Sequence, residues 1–139
     1  MFNMSDMPLN PKHAPPFLKI FGFTEAIYNE GHKTYTCYFE PTEDLTHSAG
    51  TVVQGGFVSG MLDTSMAQHI IFLTKGEMTG LTLDIDVKFY KPCAPGPVEA
   101  ISKIIQFGKS IAFTEAQLFQ NGKLIASATA TNKLAPLKI

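Results

Sequence analysis

A carboxylate set nine residues beyond the start of a glutamine–glycine–glycine run is the feature of this chain with the most chemical potential. Gln54-Gly55-Gly56 leads into Phe57, Val58, Met61 and Leu62, then Asp63, then Met66 and Ala67. From Gly55 to Leu73 the run has helical length, and Ile70, Ile71 and Phe72 extend its apolar surface almost all round. Such a helix belongs inside a fold. An ionised carboxylate there is costly unless it is paired or near water, and aspartate is a weak helix former. Asp63 is therefore expected to serve chemistry, as a base for water or as the attacking group itself. The Gly55 amide, in the first helical turn, is a free donor at the positive end of the helix dipole. Glycine lets a substrate approach that backbone closely, and a donor so placed can stabilise a carbonyl oxygen as it gains charge.

Spacing adds a constraint. Gly55 and Asp63 are eight residues apart, about 12 Å along one helix. One carbonyl carbon does not reach both. If both act on it, the acid comes from a second copy whose helix runs antiparallel, which predicts a dimer with two shared sites.

The elements that must hold this helix follow from the rest of the chain. At 139 residues it is one domain with room for a real core. Residues 1–16, with Pro8, Pro11, Pro15 and Pro16, read as an irregular arm, and 17–139 as the single domain. Phe17 to Phe21 can form a short helix ended by Gly22. Phe23 to Glu30 and Lys33 to Phe39 read as strands around a turn, and Pro41 to Gly50 as a polar loop. After the helix, Lys75-Gly76-Glu77 and Gly80 mark a break. Leu81, Leu83, Ile85, Val87 and Phe89 then alternate with Thr82, Asp84, Asp86, Lys88 and Tyr90, a strand pattern. Pro92, Pro95, Gly96 and Pro97 form a turn. Val98 to Phe107, Ser110 to Gln120 and Lys123 to Lys133 follow as strands, the last two joined by Asn121-Gly122, a hairpin signal. Tight turns among the last four strands predict an antiparallel meander. The fold class is α+β, a curved antiparallel sheet wrapped around one long central helix.

Composition narrows the function classes. The net charge is −1, and all 11 basic residues are lysine. A nucleic-acid binder would carry a basic excess. Any bound phosphate must be held by lysine, backbone amides or hydroxyls, not by an arginine fork. Cys37 and Cys93 form neither a metal-spaced cluster nor a disulfide framework. No uninterrupted apolar run approaches the roughly 18 residues of a membrane span, and Met1 to Lys12 lacks a secretory profile. The expectation is a cytoplasmic protein with reduced thiols, bound to neither membrane nor nucleic acid.

Read together, these residues resemble the hotdog fold of the 4-hydroxybenzoyl-CoA thioesterase superfamily, and within it the phenylacetate-pathway type of acyl-CoA thioesterase. Gln54-Gly55-Gly56 with Asp63 matches that family's trio and acid, and the likeness runs from about Phe17 to Leu134. The resemblance implies hydrolysis of an acyl-CoA, or of an acyl-carrier thioester, by a homodimer that often pairs again into a tetramer. It implies no metal and no redox cofactor, coenzyme A being part of the substrate. It carries Asp63, Gly55 and Gln54 over as catalytic positions. The family's usual asparagine, six residues before the trio, falls on Ser48, with His47 beside it. Thr82 matches a serine or threonine that helps place water near the acid. For the coenzyme A phosphates the expected residues are Lys91, Lys109 and Lys133, with Phe89 and Tyr90 flanking the adenine or pantetheine arm. Phe57, Met61, Met66 and Phe72 suggest an apolar pocket. Two other functions compete: a hotdog hydratase or dehydratase on enoyl or hydroxyacyl thioesters, and a non-catalytic acyl-CoA binding module. The first wants a histidine at the helix entry, where this chain has Gln54.

Overall fold

Alternation along the strands decides which face of the sheet is covered. On β7 (Ile111–Gln120), Ala112, Thr114, Ala116 and Leu118 are buried while Phe113, Glu115 and Gln117 face water, as expected of a sheet with one packed face. The computed structural model describes residues 15–137. Its elements run in the order α1 (Pro16–Ile20), β1 (Phe23–Asn29), β2 (Thr34–Phe39), a 3-10 turn (Glu43–Leu45), β3 (Thr46–His47), β4 (Val52–Val53), α2 (Gly55–Leu73), β5 (Met78–Phe89), β6 (Val98–Phe107), β7, and β8 (Lys123–Pro136). The main sheet has the order β1-β2-β6-β7-β8-β5, with every neighbouring pair antiparallel, and β3 pairs with β4 apart from it.

Helix α2 lies on the inner face, against β2, β5, β6, β7 and β8. Val58, Met61, Leu62, Met66, Ile70 and Ile71 are buried at successive angles around it, so it has no wet face of ordinary width. The helix spans the residues its sequence implied. It ends where Lys75 (φ 55°) and Gly76 (φ 83°) turn left-handed and the Gly76 amide donates to the Ile71 carbonyl at 2.8 Å. Asn121 and Gly122, both at positive φ, close the β7–β8 hairpin.

Four sequence expectations are corrected. First, β5 does not join a meander with β6; it crosses to the far edge and pairs only with β8 among the described residues. The proline-rich segment after it is thus a crossover, not a turn. Second, the alternation along β5 breaks at a bulge. Thr82 pairs with Asn132 and Asp84 with Thr131, leaving Leu83 as the extra residue. Leu81 and Leu83 are 51% and 60% exposed, while Ile85 and Val87 pack against the core. Third, the segment 41–50 is not an open loop: it holds the 3-10 turn and the first strand of the β3–β4 hairpin. Fourth, Pro16 opens α1 instead of closing the N-terminal arm, whose other residues, Pro15 apart, lie outside the described ones.

Candidate active site

The bulge in β5 turns Thr82 toward α2, because an extra residue shifts the side-chain parity of the strand. Gly80, two residues earlier, also faces α2: a Cβ there would stand 2.6 Å from Ile70 Cδ1. The Thr82 hydroxyl donates to Asp63 Oδ1 at 2.6 Å. Thr82 is therefore not on the polar face with Asp84 and Asp86, where strict alternation put it. Asp63 is half-buried, not sealed in the core. The bond from Thr82 and the partial exposure of Asp63 to solvent meet the cost of placing a carboxylate on this helix.

Beside Asp63 opens a cavity of about 450 Å³ between α1 and α2. Gly60, Asp63, Thr64, Ala67, Gln68 and Ile71 form its α2 wall, a stripe at helical spacing. Phe17, Leu18 and Phe21 of the α1 segment face them, with Thr79 and Leu137 at the end. Gly60 admits the α1 segment: a Cβ there would lie 2.6 Å from Phe21 Cζ. Met61 and Met66 are fully buried and do not line this cavity. Phe57 packs edge-on against Phe21, and Phe72 stacks on Tyr28 at 4.5 Å. The apolar pocket expected from those four residues is thus core, and the cavity wall comes from α1 instead.

At the start of α2, Gln54 is the N-cap, and its Oε1 accepts from the Gly56 amide at 2.8 Å. No described residue offers an acceptor to the Gly55 amide. A second cavity, about 370 Å³, is lined by Gly55 together with His47, Phe89, Tyr90 and Lys91. A Cβ on Gly55 would stand 3.2 Å from Phe89 Cζ. The structure therefore brings Gly55, Phe89, Tyr90 and Lys91 together, and separately brings Asp63 to Thr82. Tyr90 is held by a hydroxyl–hydroxyl bond to Ser127 at 2.8 Å.

Ser48 lines neither cavity. It is exposed at φ 55° in the β3–β4 turn, with its Oγ 2.7 Å from His47 Nδ1. His47, not Ser48, borders the Gly55 cavity. Lys109 lies in the β6–β7 turn, and Lys133 pairs by register with Leu81 and Ile111. Within one chain both lie toward the Thr82 end of β5, whereas Lys91 lies beyond its Phe89 end.

Gln68 and His69 are two polar residues of α2 that sequence reasoning did not place in a site. Gln68 Oε1 accepts from the Tyr35 hydroxyl at 3.3 Å and the Cys37 thiol at 3.4 Å. Its presence on an apolar helix, one turn beyond Asp63, was the available signal. His69 stacks on Tyr35 at 5.6 Å and meets Ser102 Oγ at 3.1 Å. Burial pushes its pKa down from 6.5 to about 4, so it is a neutral structural residue, as its place in the helix implied. Burial raises the Cys37 thiol well above its ordinary range and Cys93 up to about 11, which leaves both as inert thiols.

One long helix laid across a six-stranded antiparallel sheet, with an acid on the helix and a donor at its start, defines a hotdog protein of the thioesterase class. The model of the acyl-CoA thioesterase N-terminal domain matches residues 43–133, and the chain belongs to that family of thioester hydrolases. Protein TV1331 of Thermoplasma volcanium, named as an esterase, is 28% identical over 127 residues, 91% of this chain and 92% of that protein. The fold is shared with thioesterase HI1161 of Haemophilus influenzae, at a TM-score of 0.84 and 17% identity over 100% of this chain and 94% of that one. It is shared too with the E. coli PaaI protein of the phenylacetic acid degradation operon, at a TM-score of 0.75 and 16% identity over 89% and 87%. No helix among the described residues is long and apolar enough to cross a membrane.

Proposed function

We propose that the protein hydrolyses an acyl-CoA thioester to free acid and coenzyme A in a site shared by two chains. The 2.6 Å bond from Thr82 to Asp63 carries this reading. A carboxylate held in one orientation at the mouth of an apolar cavity can direct a water, or itself, at a thioester carbon. The Gly55 amide of a second chain polarises the carbonyl, since within one chain the separation is about 12 Å.

Edge strand β5 supports the pairing of chains. Among the described residues its outer edge leaves backbone donors and acceptors unpaired, and Leu81 and Leu83 beside it face water. Antiparallel pairing of β5 with its copy sets the Thr82 end of one strand beside the Phe89 end of the other. Lys109 and Lys133 of one chain then approach Lys91, Phe89 and Tyr90 of the next, which suits a phosphate-bearing coenzyme A. Ser48 takes no part in this arrangement beyond holding the His47 ring, and Gln54 orients the helix start. A further pairing into tetramers and a cytoplasmic location belong to the same reading.

Thiol release measured over a panel of acyl-CoA substrates tests it, with Asp63→Asn as control. The variant is expected to lose at least a hundredfold in kcat while coenzyme A binding persists. An Asp63→Asn protein turning over near the native rate removes Asp63 from the mechanism.

A further inference from the structure

The cavity beside Asp63 contains a group that hydrolysis does not need. Gln68 belongs to its lining and is 2% exposed. The Tyr35 hydroxyl and the Cys37 thiol both point at its Oε1. Burial holds both groups above their ordinary pKa, so both stay protonated donors across the working pH range. Two donors on one side fix the amide, its oxygen toward β2 and its nitrogen away. That nitrogen, Nε2, is buried and has no hydrogen-bond partner among the described residues. A buried amide donor without an acceptor is unfavourable and uncommon in native proteins. The cavity wall to which Gln68 belongs is mostly apolar, with Phe17, Leu18, Phe21, Ala67 and Ile71 beside the polar Asp63, Thr64 and Thr79.

We propose that this cavity receives the acyl group, and that Gln68 Nε2 selects acyl groups bearing a hydrogen-bond acceptor, a hydroxyl or carbonyl oxygen, away from the thioester carbon. The inference rests on Asp63 being the group that directs attack. Gln68 is five residues further along α2, an axial distance of about 7.5 Å. The acceptor therefore belongs beyond the carbon next to the thioester. A volume of about 450 Å³ suits a medium-length or aryl acyl group and is larger than an acetyl group needs.

The test compares pairs of acyl-CoA of equal length, with and without a hydroxyl at increasing distance from the thioester. The wild-type protein, Gln68→Met and Ala67→Leu are assayed for kcat/KM, and Asp63→Asn is titrated with the same pairs by calorimetry. Wild type is expected to favour one hydroxylated position by about tenfold or more, since a site with an unmet donor discriminates against the analogue that leaves it unmet. Gln68→Met, of similar size, should lose that preference while still hydrolysing the plain acyl group. Ala67→Leu, which narrows the cavity without touching Gln68, should reduce turnover of the longer pairs. If Gln68→Met does not fold, the wild-type preference and the Ala67→Leu length effect decide.

Equal treatment of both members of every pair by wild type overturns the selection, and hydrolysis at Asp63 still stands. Absence of turnover together with a hydroxyl preference in binding overturns the hydrolytic reading alone. Absence of both overturns both.

Discussion

Two inactive variants mixed together should regain activity. Gly55 and Asp63 lie eight residues apart on α2, about 12 Å by helical rise, whereas each must come within about 3 Å of the reacting group. One chain cannot supply both to one substrate. Gly55→Val sets a branched side chain where even a Cβ stands 3.2 Å from Phe89 Cζ, closing the approach to the amide. Asp63→Asn removes the base. A dimer of either variant alone has two dead sites. In a mixed dimer one site lacks both groups, and the other has the intact Gly55 of one chain and the intact Asp63 of its partner. Random exchange makes half the dimers mixed, so an equimolar mixture should show about a quarter of wild-type activity, given two sites per symmetric dimer. The assay is thiol release before and after subunit exchange, with native mass spectrometry to count mixed dimers. If mixed dimers form and the rate stays at the sum of the parents, the shared-site reasoning is refuted.

Two further outcomes are expected. Thr82→Val, which keeps strand propensity but removes the donor to Asp63, should lower kcat about 5- to 30-fold with KM little changed. That corresponds to about 1–2 kcal/mol for a partly solvated charge-assisted bond. Thr82→Ser should restore most of the rate, and an unaltered kcat in Thr82→Val would separate the residue from the chemistry. The neutral His69 gives the fold a pH dependence. Its folded pKa, about 4, lies below the unfolded 6.5, so the unfolded state binds the extra proton between those values. Its contribution is therefore full above pH 6.5 and lost as pH falls toward 4, at most roughly 3 kcal/mol. Denaturant melts from pH 7 to 4 should fall less steeply in His69→Gln than in wild type, and parallel profiles would contradict the assignment.

The central helix was legible to its last residue because its signals are local: a glycine pair at the start, an uninterrupted apolar surface, and Lys75-Gly76 at the end. The Asn121-Gly122 hairpin was legible for the same reason. The position of β5 was not, since a strand's partners depend on how the chain crosses the sheet and not on its own pattern. Its bulge was hidden as well. Leu81 and Leu83 read as one face with Ile85 and Val87, because apolar residues on an edge strand look the same in sequence whether they face a core or water. Asp63 and Gly55 stood out by type and spacing. The company they keep did not: the wall of the Asp63 cavity is assembled from α1, which is distant in sequence, and from Gly60 and Gln68, of which only Gln68 carried a signal by its type. Thr82 was named from the family likeness, and only the strand's shifted parity explains how it reaches the acid.

One corner of the molecule limits how this enzyme can diversify. Gly22, at φ 76°, turns the chain from α1 into β1, and the Glu40 backbone fills the space any side chain would need. The Glu40 amide donates to the Gly22 carbonyl at 2.8 Å, riveting that corner to the end of β2. The α1 wall of the acyl chamber is thus anchored at its downstream end to the end of β2. Substrate range can drift through exchanges at Ala67 or Phe17 without disturbing the corner, whereas a new residue at position 22 would displace the whole roof at once. Descendants with altered appetite should therefore differ along the chamber's walls and share this hinge-less bend.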